Sequence, residues 1–226
     1  MKDINLFKNN SVFKYIINKY ISSYKLDHIA YRSFNKNKII KKYINNNFII
    51  QKDLYKFPKH NAHAIWLNNN NNIIPRIFVS EYNSIYFDDN FLNTNIDLDE
   101  INYYIHNDNK QISYKLYYDL FKINQYLAWT LVFRDNIINH LAIEVNNIKQ
   151  LNTDLENDEI INLSGNLQIS DDKNLLQFST KSEYNLVNFS DGNYYIPTFF
   201  FEFVERLNSR DGFSEKNANM IFDSTK

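Results

Sequence analysis

Asp27-His28-Ile29-Ala30-Tyr31-Arg32-Ser33-Phe34 and Asn139-His140-Leu141-Ala142-Ile143-Glu144-Val145 are two copies of one pattern. Each runs polar residue, histidine, aliphatic residue, alanine, and then alternates. Alternation over that length marks a half-buried strand, because successive side chains leave a strand on opposite faces. His28, Ala30 and Arg32 therefore share one face of the first strand. His140, Ala142 and Glu144 share one face of the second. Histidines at matching places in two similar strands predict two modules that meet at one site.

The segments after each motif strand come in the same order. After the first, Lys36 to Asn45 carries Ile39, Ile40, Tyr43 and Ile44 at helical spacing, and Asn45-Asn46-Asn47 ends it. Strands are expected at Phe48 to Gln51, Asn61 to Leu67 and Pro75 to Glu81. After the second, Asn147 to Asn157 reads as a helix with Ile148, Leu151 and Leu155 on its apolar side. Strands follow near 160–169, 174–180, 184–189 and 195–205, with a turn at Ser190-Asp191-Gly192-Asn193. This is a degenerate internal repeat, visible in pattern more than in identity. Between the copies, Asp97 is an N-cap candidate, and Tyr114 to Phe133 has helical periodicity. The expectation is α+β: one domain over residues 1–226, its two pseudo-symmetric modules forming a cupped sheet or barrel, with module one at about 26–81, a helical insert at about 82–137 and module two at about 138–206. A helix over residues 3–22 precedes them, and a C-terminal cover over 207–226 contains Ala218, Met220, Ile221 and Phe222.

Composition removes several classes of function. Hydrophobic residues reach 44%, enough for a full core. Asn, Lys, Ile, Tyr and Phe dominate while Gly and Pro number 3 each, as in AT-rich coding, so the run Asn68 to Asn72 reads as a loop. A net charge of -1 without a run of one sign gives no nucleic-acid or membrane-surface footprint. The absence of Cys excludes disulfides, thiol nucleophiles and thiolate metal sites. No apolar stretch approaches membrane-span length, and Met1 to Asn5 carries no apolar signal core; a cytoplasmic protein is expected.

The first and last strands of the two modules supply four candidates for one site: His28, Glu81, His140 and Glu202. Glu202 lies among Phe199, Phe200, Phe201 and Phe203, where a carboxylate needs a partner or a metal. Two imidazoles and one carboxylate suit non-haem Fe(II) with open coordination places, and also Zn(II) or Mn(II). Arg32 offers a planar fork to a carboxylate, and Arg206 either does the same or pairs with Glu81 or Glu202. Glu144 and Gln177 either face the same cavity or fill hydrogen bonds. His60, His63 and His106 are not expected as ligands. There is no Gly-rich phosphate loop, GxSxG or HExxH.

Five segments come in one order: Asp27 to Phe34, Pro75-Arg76-Ile77-Phe78-Val79-Ser80-Glu81, Asn139-His140, Phe201-Glu202-Phe203-Val204-Glu205-Arg206 and Ala218 to Thr225. Together they resemble the DUF1338 family, the 2-oxoadipate dioxygenase/decarboxylases (hydroxyglutarate synthases), and most of all its shorter, Bacteroidetes-type members. The resemblance runs from about residue 5 to the end. It implies a vicinal-oxygen-chelate-like fold and an Fe(II) enzyme that converts 2-oxoadipate and O2 to 2-hydroxyglutarate with release of CO2. The family's metal triad falls on His28, His140 and Glu202, its substrate-binding arginine on Arg32, and a further substrate contact near Lys216. Glu81 takes the fourth pseudo-symmetric position, where, with Arg206, it would support the ligands from behind. Ala142 stands where the family often has Thr, and the insert is compact. Two rival readings are a metal-dependent isomerase, epimerase or lyase of the vicinal-oxygen-chelate type, in which Glu81 serves as fourth ligand or base, and a binding module without chemistry.

Overall fold

The computed structural model describes residues 18, 25–57, 62–69, 75–82, 94–107, 109–134, 137–156 and 163–224. The helix expected over 3–22 lies outside them save for Asn18, as does His60. The first half runs β1 (Lys25–Ser33), α1 (Lys36–Ile44), β2 (Phe48–Phe57), β3 (Ala62–Asn69) and β4 (Arg76–Tyr82). Then come α2 (Leu98–His106), α3 (Tyr114–Ile123) and α4 (Gln125–Phe133). The second half runs β5 (Ile137–Glu144), α5 (Ile148–Glu156), β6 (Leu163–Ile169), β7 (Leu175–Thr180), β8 (Glu183–Phe189) and β9 (Gly192–Arg206), and α6 (Glu215–Ser224) closes the chain.

The strands form one open sheet in the order β2-β3-β4-β1-β5-β9-β7-β6, with β8 hydrogen-bonded to β9 off that path. Each half repeats one pairing scheme. Its first strand lies parallel to its last, β1 to β4 and β5 to β9, and the remaining strands add antiparallel outward. The halves join where β1 runs antiparallel to β5, so the two histidine strands are neighbours. This is the mixed α+β architecture that the repeated motif predicts.

Period two sorts the core into layers. Tyr31, Ile65, Leu67, Ile77 and Val79 point to one side of the first half and pack on Ile39 and Ile40 of α1. Ala30, Ala64, Trp66 and Phe78 point to the other side and meet the insert, where Leu120, Tyr126, Leu127 and Leu131 are buried. In the second half, Ile148, Leu151 and Leu155 of α5 cover Ile143, Phe178, Phe201 and Phe203. Caps fix the insert helices. Asp97 accepts from the Asp99 and Glu100 amides, Ser113 from Leu116 and Asn124 from Leu127. α1 ends where Asn47 takes a left-handed conformation (φ 64°) that asparagine tolerates. No helix among the described residues is long and apolar enough to cross a membrane.

Candidate metal centre

The seam between β1 and β5 carries two irregularities. Leu26 pairs with Ile143 and His28 with Ala142, which leaves Asp27 as an extra residue. Ala30 pairs with His140 and Tyr31 with Ile138, which leaves Asn139 as an extra residue on the other strand. A bulge relaxes strict alternation and re-aims side chains. Here it keeps each extra residue beside the histidine that follows it. Asp27 Oδ1 accepts from His28 Nδ1 at 2.7 Å, and Asn139 Oδ1 accepts from His140 Nδ1 at 3.2 Å.

With both Nδ1 atoms donating, each Nε2 keeps its lone pair. The two Nε2 atoms face one another at 3.2 Å. Glu202 Oε2 lies 3.2 Å from His140 Nε2 and 3.7 Å from His28 Nε2. A triangle with sides of 3.2, 3.2 and 3.7 Å has a centre about 2 Å from every corner, the reach of imidazole nitrogen and carboxylate oxygen to a transition metal. Burial lowers the pKa of His140 and keeps its ring neutral. Burial opposes the charge on Glu202, but its contacts with His140, His28 and Gln177 outweigh that, and its pKa is lowered. Three buried electron-pair donors aimed at one point suit a cation. Among the described residues this is the one group of three or more such side chains with donor atoms within 4.8 Å of one another.

Each donor has support behind it. Asp27, fully buried, receives Arg206 Nε at 2.7 Å and Nη2 at 2.9 Å, and Arg76 Nη1 at 3.0 Å. Burial works against its charge, yet Arg206 and His28 hold its carboxyl far below the ordinary range. A carboxylate behind a metal-facing imidazole fixes the tautomer and raises the basicity of the outer nitrogen. On the opposite side, Gln177 Nε2 donates to Glu202 Oε1, and Asn217 Nδ2 donates to Gln177 Oε1 at 2.7 Å.

The centre opens into a pocket holding about 520 Å³ of empty space, its mouth included. Phe57, Phe78, Phe200, Phe213 and Ile221 give it apolar walls, and Arg32, Tyr126, Gln177 and Asn219 add polar groups. The Arg32 guanidinium lies 4.5 Å from the Tyr126 ring centre and 5.2 Å from that of Trp129. Burial draws its pKa down to about 10, so it stays charged at neutral pH.

The structure places three further sequence candidates as follows. Glu81 stands on the α1 side of β4, where it binds Lys36 Nζ at 2.5 Å and His63 Nε2 at 3.0 Å. The pairing register gives the reason: Glu202 lies opposite Ala142, and the matching residue opposite Ala30 is Phe78, not Glu81. Lys216 is exposed and paired with Asp171 at 2.7 Å, while Asn217 turns inward and Asn219 lines the pocket. Arg206 does stand behind a candidate ligand, but its partner is Asp27 rather than Glu81 or Glu202. Gln177 faces the site, whereas Glu144 lies 3.8 Å from Lys25 at the end of the β1–β5 pair. His106 is exposed at the end of α2. The sequence reading missed Asp27, Arg76, Asn139 and Asn217. The signal for two of them was their place directly before a histidine.

A sequence profile of the 2-oxoadipate dioxygenase/decarboxylases matches residues 98–209. The chain resembles that family. An Arabidopsis thaliana 2-oxoadipate dioxygenase/decarboxylase, named as chloroplastic, is 37% identical over 128 residues, which is 45% of this chain and 34% of the relative. The match thus spans about a third of that relative's length. An Oryza sativa member named as chloroplastic/amyloplastic is 26% identical across 88% of this chain and 68% of its own. Among solved structures, the Oryza sativa hydroxyglutarate synthase in complex with 2-oxoadipate superposes with a TM-score of 0.78 at 23% identity, covering 99% of this chain and 89% of that one. A glyoxalase superfamily protein from Ralstonia eutropha gives 0.70 at 13% identity, over 88% and 81% of the two chains. This chain thus shares the α+β fold of both structures.

Proposed function

We propose that this protein is an Fe(II)-dependent dioxygenase that decarboxylates and hydroxylates a 2-oxo acid, converting 2-oxoadipate and O2 to 2-hydroxyglutarate and CO2. One observation carries the proposal: the electron pairs of His28, His140 and Glu202 converge beside a pocket that His140, Glu202 and Arg32 line. The names of the relatives supply the substrate. Iron bound by these three side chains would supply dioxygen activation, with places left for the 2-oxo acid.

The chain's own residues do the rest. Asp27 and Asn139 hold the Nδ1 protons, so both imidazoles present lone pairs. Arg32, flanked by Tyr126 and Trp129, binds a substrate carboxylate as a charged fork. The phenylalanine walls keep water from the reacting atoms. Phe78 at the fourth pseudo-symmetric position leaves the centre three protein donors, and Glu81 is out of reach as ligand or base. That weighs against the isomerase and lyase reading.

Anaerobically purified protein reconstituted with Fe(II) should consume O2 and release CO2 in equal amounts from 2-oxoadipate. Absence of turnover with every member of a 2-oxo acid panel, despite bound iron, rejects the proposal. Turnover with Zn(II) and no O2 points to the lyase class.

A further inference from the structure

Glu202 is held at both oxygens, but differently. Oε2 faces the two histidines, whereas Oε1 takes a hydrogen bond from Gln177. Gln177 is buried within β7, and its amide has a donor end and an acceptor end. The donor end serves Glu202 only if something holds the acceptor end away. That holder is Asn217 of α6, whose Nδ2 lies 2.7 Å from Gln177 Oε1. The Asn217 amide is oriented in turn, since its Nδ2 also lies 3.4 Å from the Leu175 carbonyl oxygen. A backbone carbonyl cannot exchange its roles. Direction therefore runs from the β7 main chain through Asn217 and Gln177 to Glu202. The Asn217 Oδ1, meanwhile, is buried with no hydrogen-bond partner among the described residues. A buried amide used at one end only is poor material for stability alone.

We infer that Asn217 and Gln177 are positioning residues of the metal centre: through them the C-terminal helix sets the carboxylate of Glu202 so that one oxygen faces the histidines. This rests on the metal-centre reading above. α6 also lines the pocket through Ala218, Asn219 and Ile221. One helix therefore orients a ligand and walls the substrate space, and displacement of the helix releases both.

The test uses Co(II) as probe, with affinity measured by chelator competition and geometry by the visible absorption of the bound ion. Wild-type protein should bind one Co(II) per chain, and His28→Ala should abolish it. Asn217→Leu, which removes both ends of the amide, should weaken binding about 10- to 100-fold and alter the absorption bands. Asn217→Asp should weaken it at least as much, because Gln177 then turns its donor to the new carboxylate and its oxygen to Glu202. Gln177→Leu combined with Asn217→Leu should be no worse than Gln177→Leu alone, since both act through one path. Unchanged affinity and bands in Asn217→Leu, with wild-type binding intact, overturn the relay and leave the metal centre standing. Binding that survives His28→Ala overturns the metal centre itself. If Asn217→Leu fails to fold, Gln177→Leu is read on the same scale, and wild-type affinity there overturns the relay.

Discussion

Asp27 is enclosed by one imidazole and two guanidinium groups, so its two neighbourly duties can be separated by substitution. Asp27→Ala leaves Arg206, whose side chain is 4% exposed, without its hydrogen-bonded carboxylate. A loss of about 3–5 kcal/mol in urea unfolding is expected. Asp27→Asn keeps an oxygen for His28 but removes the charge, and metal affinity in a chelator competition should fall about 10-fold or more. Arg32 differs, because it faces the pocket and not the ligands. Arg32→Met should raise KM for a dicarboxylate by about 10- to 100-fold, the worth of a charged hydrogen bond, with metal content by elemental analysis unchanged. At this scale the sequence was readable where period two holds. Alternation puts His28, Arg32, His140 and Glu202 among the candidates, and the family resemblance sets them apart from Glu81. Asp27 and Asn139 are not among them, because each sits in a bulge, and a bulge suspends the rule that would send it to the far face.

At the scale of an element, phase decides which candidate faces the pocket. Glu81 shares a face with Ile77 and Val79, as alternation requires, but α1 covers that face, and a strand read alone does not say which side the helix takes. Lys216 and Asn217 differ by about 100° around α6, so an alignment loose by one residue exchanges solvent for the site. Glu81 has a separate consequence for α1. Its carboxylate accepts from the Lys36 amide and side chain at the start of that helix. Burial opposes its charge, but His63 and Lys36 prevail and lower its pKa below 4.5. The unfolded chain takes up this proton first as pH falls. The stabilisation is therefore complete above about pH 4.5 and fades as pH drops through the lower folded value. Glu81→Gln should be less stable than the wild type near neutrality and lose less of its melting temperature on acidification. A parallel decline in both proteins would refute this role.

At the scale of the molecule, the proposed ligands come from both halves: His28 from β1, His140 from β5 and Glu202 from β9. A bound ion would then tie the halves across the β1–β5 seam, so metal should stabilise the whole sheet. At 100 times its dissociation constant an ion contributes about 2.7 kcal/mol, readable as a rise in melting temperature that His28→Ala removes. The repeat itself was legible, because strand, helix and several strands recur in the same order. The antiparallel joining of the halves was not, since no local pattern says which edges meet. The bulges of that seam have a further meaning for ancestry. Each histidine travels with its orienting residue as a covalent dipeptide, so duplication of a half-molecule copies ligand and support in one event. The codons for Asp and Asn differ at one base. The step from two like imidazoles to an unequal pair, one backed by a charge and the other by a neutral amide, is thus among the shortest that mutation can take.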